Sequence, residues 1–174
     1  MALRYGYYDS EIIGVDDEGM PIFDRAESSE FLAMFVSRII TDGVLAAPGD
    51  CFQVLAAGNG LRLRIRPGFG MIRGHFAYDD EETILELSSA HRIYKRIDRV
   101  VLRCNYHDRL MEIIIKEGIP ANSPAAPDLL RPSAGDYYEM CLATVTISSN
   151  QAVVTQSSIK DTRYDSSVCG VITQ

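Results

Sequence analysis

The run Arg96-Ile97-Asp98-Arg99-Val100-Val101-Leu102-Arg103-Cys104 constrains the fold most, because β-branched and aliphatic residues crowd its second half while charges are woven through its first. It reads as an interior β-strand. Five residues, 105–109, separate it from Leu110-Met111-Glu112-Ile113-Ile114-Ile115-Lys116, a spacing that suits an antiparallel hairpin with a longer loop. Asp98 and Arg99 then fall in or beside an apolar ladder. A desolvated charge is costly unless it is paired and hydrogen-bonded, so both need partners. Arg96, Arg163 and Asp161 are the candidates, and an arginine among Arg96, Arg99 and Arg163 is expected to hold Asp98.

The same two-residue period recurs over most of the chain. Residues 51–57 and 61–66 flank Gly58-Asn59-Gly60, a strong hairpin signal. In Leu61-Arg62-Leu63-Arg64-Ile65-Arg66 the alternation puts three aliphatics on one face and three arginines on the other. That row can contact an acidic partner or a phosphate. In so acidic a chain it more simply meets carboxylates on a neighbouring strand. Residues 69–78 read as one further strand carrying Gly70 and Gly74, and 83–87 as another. Four prolines make residues 118–135 an extended crossing loop. Residues 137–147 and 152–156 suggest a last hairpin, and Ile159-Lys160-Asp161-Thr162-Arg163 closes the domain.

One segment departs from this pattern. Phe31, Phe35 and Ile39 recur every four residues with Leu32, Val36 and Ile40 beside them, which predicts an amphipathic helix over residues 28–43. Ser28 or Ser29 can cap it, with Asp24 as an alternative start, and Asp42-Gly43 can end it. Its apolar arc is wider than one packing surface requires. Phe31, Met34, Phe35 and Ile39 are therefore candidates for contact with a neighbouring subunit. Residues 1–27, rich in tyrosine and acids and broken by Gly14, Gly19 and Pro21, form an arm that must pack on something to be ordered. Residues 164–174 are an apolar tail, either docked or continuing into a longer protein.

Charge and motif content narrow the chemistry. The net charge of −7 argues against general nucleic-acid binding, which depends on a basic surface to neutralise phosphates. No run approaches the roughly 20 apolar residues that span a bilayer, and the first residues lack the apolar core of a signal peptide. The four cysteines are widely spaced and read as buried reduced thiols. His75, His91 and His107 lie in three segments without ligand spacing. Gly68-Phe69-Gly70-Met71-Ile72-Arg73-Gly74 has its third glycine one residue late for a dinucleotide loop, and no helix follows it. The acids of Asp79-Asp80-Glu81-Glu82 read as a solvated turn rather than a hydrolytic pair. Nothing in the sequence assigns a catalytic residue, metal or cofactor, and the expectation is a protein that is not an enzyme.

The order of Asp42-Gly43-Val44, then Arg66-Pro67-Gly68-Phe69-Gly70-Met71-Ile72-Arg73-Gly74, then Arg96-Ile97-Asp98-Arg99-Val100-Val101-Leu102-Arg103 resembles the N-terminal structural domain of upper baseplate and tail-fibre proteins of long-tailed phages and prophages of Gram-positive bacteria. Lys116-Glu117-Gly118-Ile119-Pro120-Ala121, Tyr138-Glu139-Met140-Cys141-Leu142-Ala143 and Ile159-Lys160-Asp161-Thr162-Arg163 extend the likeness over residues 22–163. The resemblance implies a virion tail component, made in the bacterial cytoplasm without a signal peptide, that anchors host-recognition elements to the tail. Its partners would be other tail proteins and itself, most simply as a homotrimer. It implies neither nucleic acid nor membrane as partner, and a host-surface glycan would be met through distal elements. A carbohydrate-binding module that contacts the host cell wall directly is the alternative.

These readings combine into a mainly β fold: an antiparallel β-sandwich or distorted barrel of about eight strands with one N-terminal amphipathic helix. The expected divisions are an arm at 1–27, the helix at 28–43, the β-sandwich domain at 49–163 and a C-terminal tail at 164–174.

Overall fold

The computed structural model describes Gly6 and residues 8–174, so the remaining residues of the expected arm at 1–27 lie outside the described residues. The fold is mainly β, with several antiparallel sheets and no closed barrel. An arm hairpin comes first, β1 (Ile12–Val15) and β2 (Pro21–Phe23), followed by α1 (Ser29–Ser37) and a short β3 (Gly43–Val44). Then come β4 (Val54–Ala56), β5 (Arg62–Ile65), β6 (Gly68–Ile72), β7 (His75–Asp79) and β8 (Thr83–Glu86). The long strands close the list: β9 (Arg96–Asn105), β10 (Leu110–Lys116), β11 (Tyr137–Ile147) and the short β12 (Ile159–Asp161).

Beyond the arm, the strands form three sheets with the orders β10-β9-β11-β12, β3-β6-β7 and β4-β5-β8. Their inner faces meet in one apolar core built from Val44, Phe52, Val54, Leu63, Ile65, Ile72, Val100, Leu102, Met140, Leu142, Val145 and Ile147. Strand β9 lies between β10 and β11, which explains why its apolar residues run consecutively instead of alternating: Val100, Val101 and Leu102 are all fully buried. In β11 the register slips between Cys141 and Ala143. This bulge changes which residues face the core, from Met140 and Leu142 before it to Val145 and Ile147 after it.

Four expectations need correcting. Residues 69–78 are not one strand but the hairpin β6–β7, which turns at Arg73-Gly74, both with positive φ. Residues 152–156 form no strand; β11 instead pairs with β9 on one side and β12 on the other. The helix is nine residues long rather than reaching residue 43. Its last turn is closed by the Arg38 N–H to the Phe35 and Val36 carbonyls, and beyond it Gly43-Val44 is drawn into pairing with β6. It also follows the arm hairpin in the chain and buries only Ala33 completely. The barrel alternative gives way to separate open sheets.

The helix is fixed by its start and by a glycine. The Ser28 hydroxyl accepts the Phe31 N–H at 3.1 Å, a standard N-cap. Gly74, at φ +81°, is required by more than its conformation: a Cβ there would lie 1.9 Å from the Ala33 carbonyl oxygen. The β6–β7 turn therefore touches the helix backbone directly. At the other end of the chain, Val171 bridges Val44, and the Ile172 N–H bonds the Val44 carbonyl at 3.0 Å, so the tail docks beside β3.

Candidate functional site

Two buried ionic networks and one open apolar surface are the features from which a role can be argued. On β9, residues two apart share a face, so Arg96 and Asp98 point together toward the core side of the sheet. The Arg96 Nε lies 3.1 Å from both Asp98 oxygens, and its other nitrogens donate to the carbonyls of Ser89 at 2.7 Å and Ser88 at 2.5 Å. Both side chains are buried, and the Gly118 N–H donates to Asp98 at 2.8 Å. Burial raises the Asp98 carboxyl above its ordinary range, against the pull of the Gly118 amide and Arg96.

The second network lies on the opposite face of the sheet. Glu139, wholly buried in β11, stands across from Arg103 of β9, and Arg103 in turn stands across from Glu112 of β10. Arg103 donates to Glu139 at 2.7 Å, Lys116 does so at 2.7 Å and the Leu130 N–H at 2.8 Å. Burial alone would raise the Glu139 carboxyl, but the Leu130 amide, Lys116 and Arg103 outweigh it and hold the group below its usual range. The proline-rich crossing loop is bound here. Arg99 donates to the Pro127 carbonyl at 2.6 Å and Lys116 to the Asp128 carbonyl at 2.6 Å.

The remaining expected pair meets at the end of β12. Arg163, itself buried, donates to Asp161 at 2.7 Å and to the Cys51 carbonyl at 2.7 Å, tying β12 to the loop before β4. Burial works to raise the Asp161 carboxyl, and Arg163 more than offsets it, leaving the group lowered. The five charged residues singled out in the sequence are thus split three ways. Arg96 holds Asp98, Arg163 holds Asp161, and Arg99 holds the crossing loop. Sequence reasoning missed Glu139, whose only signal is an acid standing between Tyr138 and Met140 in an otherwise apolar strand.

The arginine row of β5 meets acids. Arg62 stands opposite Glu86 and donates to it at 2.7 Å, while Arg64 lies 3.3 Å from Glu82 and Arg66 lies 3.1 Å from Asp50. These are exposed pairs, each worth little by itself.

The helix candidates do not form one buried stripe. Phe31 and Met34 are half-buried, whereas Phe35 and Ile39 are exposed together with Leu32. Beside the helix, a groove of about 540 Å³ runs between β7 and β10, lined by Leu32, Val36, Met71, Phe76, Leu110 and Met111. Phe76 and Tyr78 project from β7 into solvent, and Phe69 stacks on Phe76 at 5.6 Å between ring centres. At the helix end the groove passes Arg109, His75 and Tyr106, and burial pushes the Tyr106 hydroxyl up to about 12.

His75, His91 and His107 remain apart, and among the described residues no three or more His, Cys, Asp or Glu side chains gather in a metal-like group. No helix among the described residues is long and apolar enough to cross a membrane. No family model, no curated protein and no solved structure matches the chain.

Proposed function

We propose that the chain is a structural component of a phage or prophage tail baseplate or adsorption apparatus, one that self-associates and anchors host-recognition elements to the tail. The observation that carries this reading is the pairing of a rigidly tied β body with a large unburied apolar surface. Arg96–Asp98, Glu139 with its three donors, and Arg163–Asp161 lock both faces of the long sheet. The arm, the outer side of α1 and the rim of β7 meanwhile leave Ile12, Ile13, Val15, Leu32, Phe35, Ile39, Phe76 and Tyr78 exposed. Eight large apolar side chains left in solvent suit a protein that works within an assembly. The motifs that resemble the baseplate domains support the reading further, since they coincide with the parts that build the body. Gly68–Ile72 is β6, Arg96–Asn105 is β9, and Ile159–Asp161 is β12.

The assembly is a homotrimer in this reading, bound to other tail proteins, with no catalytic, metal or cofactor role. Light scattering on the full chain tests it: a mass three times the 19.3 kDa of one chain is expected. A monomer at tens of micromolar would rule out self-association.

One observation favours the alternative, a module that grips cell-wall carbohydrate. Phe76 and Tyr78 are neighbouring exposed rings on one strand, and such rings can stack on sugars. A glycan array separates the two readings. The structural reading expects no saccharide to bind the isolated chain.

A further inference from the structure

We propose that the arm strand β1 of one copy lies in the groove between β7 and β10 of a second copy, adding an extended segment along the free edge of β10. This rests on the self-association reading above and names the segment and the surface that make the contact.

The groove has the features of a strand acceptor. Among the described residues, β10 pairs only with β9 and β7 pairs only with β6, so each presents an unpaired edge. Such an edge offers a row of unused N–H and C=O groups that another strand can complete, while pockets beside it select the side chains. Met71, Met111, Phe76 and Leu110 supply apolar walls next to that backbone.

The arm has the features of the occupant. Ile12, Ile13 and Val15 are 65%, 66% and 66% exposed, and Met20, Ile22 and Phe23 across the hairpin are exposed as well. A two-stranded ribbon with apolar residues on both faces is at best marginally stable in water. The ribbon is closed by its own hydrogen bonds, from Ser10–Arg25 and Glu11–Asp24 at its base to Asp16–Met20 at its tip.

Charge points to another copy of this chain rather than to an arbitrary partner. Residues 1–27 hold seven acids and two arginines, against 17 acids and 15 basic residues in the remainder, so the arm carries most of the net negative charge. The groove and the shallow cleft beside it are bordered at the helix end by Arg38, Arg73, His75 and Arg109, with Glu30 as the opposing acid there. Asp79 and Glu112 lie at the far end. The tip acids Asp17 and Glu18 therefore find their complement at the helix end.

The test is cross-linking in the full chain. The four native cysteines are buried, so Ile13→Cys and Phe76→Cys each introduce one reactive thiol at an exposed position. Mixing the two variants with a short bismaleimide should give covalent pairs containing one copy of each, and neither variant alone should pair efficiently. Cross-linking of the double variant within a single monomer would overturn the proposal, because the arm would then fill its own groove. Ile13→Glu should weaken assembly at least tenfold without changing the circular dichroism of the fold. An oligomer that survives Ile13→Glu and yields no mixed pair overturns the arm exchange but leaves self-association standing; a monomeric wild-type chain overturns both.

Discussion

Arg96 and Asp98 lie on the same face of one strand, with the guanidinium Nε 3.1 Å from both carboxylate oxygens and neither side chain reaching solvent. Because Arg96 also caps the Ser88 and Ser89 carbonyls and Asp98 also takes the Gly118 amide, the pair joins the entry to β9 with the start of the crossing loop. Removing one member of a buried pair leaves the other charge uncompensated, typically at a cost of about 3–5 kcal/mol. Asp98→Ala should therefore be strongly destabilising, and Asp98→Asn, which can still accept the Gly118 N–H, less so. A melting temperature of Asp98→Ala within about 2 °C of wild type would contradict the account, since 1 kcal/mol moves a domain of this size by about 2–4 °C.

Glu139 gives the fold an acid sensitivity of defined sign. Its carboxyl is held below the ordinary range in the folded chain, so its contribution is present above the unfolded value, near 4.5, and is lost as pH falls through the folded value. Asp161 is lowered too and acts in the same direction. Asp98 is raised and acts in the opposite direction, its contribution being lost as pH rises. Glu139→Gln should thus be less stable than wild type in urea at pH 7, with the gap narrowing below about pH 4.5. A gap that stays constant down to pH 3 would mean that the carboxylate charge contributes nothing.

Gly74 couples the β6–β7 turn to the helix. Gly74→Ala places a methyl group against the Ala33 carbonyl, where neither backbone has room to yield, and overpacking of this kind costs about 1–3 kcal/mol. Hydrogen exchange should speed up across Ser29–Ser37 more than in β9. Unchanged exchange in the helix would show that the turn does not hold it.

The cysteines should be inert in the folded chain. Burial raises the Cys104 thiol and pushes Cys169 up to about 12, and Cys51 and Cys141 are buried as well. A thiol reagent at pH 8 should titrate none of the four until denaturant is added. Rapid labelling of one thiol in the native state would locate an opening that this structure does not contain.

Much of the body was legible because its signals are local. The hairpin of β9 and β10 follows from two β-rich runs and a five-residue spacer, and Gly58-Asn59-Gly60 announces the turn between β4 and β5. Arg62 of the arginine row met a carboxylate on the next strand, Glu86, as alternation in an acidic chain suggests, while Arg64 and Arg66 reached Glu82 and Asp50 in the flanking loops. Other features depend on partners far along the chain. The turn at Arg73-Gly74 is hidden because Ile72, Phe76 and Tyr78 keep a two-residue spacing across it. The early end of α1 is hidden because Ile39 and Ile40 continue its apolar spacing while the chain beyond them is claimed by pairing with β6. Glu139 takes its donors from residues 9, 23 and 36 positions away, and no window of sequence displays that arrangement.

The claim that this chain is a tail structural protein is tested most directly by electron microscopy of phage particles induced from the strain that encodes it, labelled with gold-conjugated antibody against the chain. Label confined to the distal end of the tail, at several copies per particle, is the expected result. Particles that assemble complete tails without label at that end, while the chain is present free in the same lysate, would contradict it.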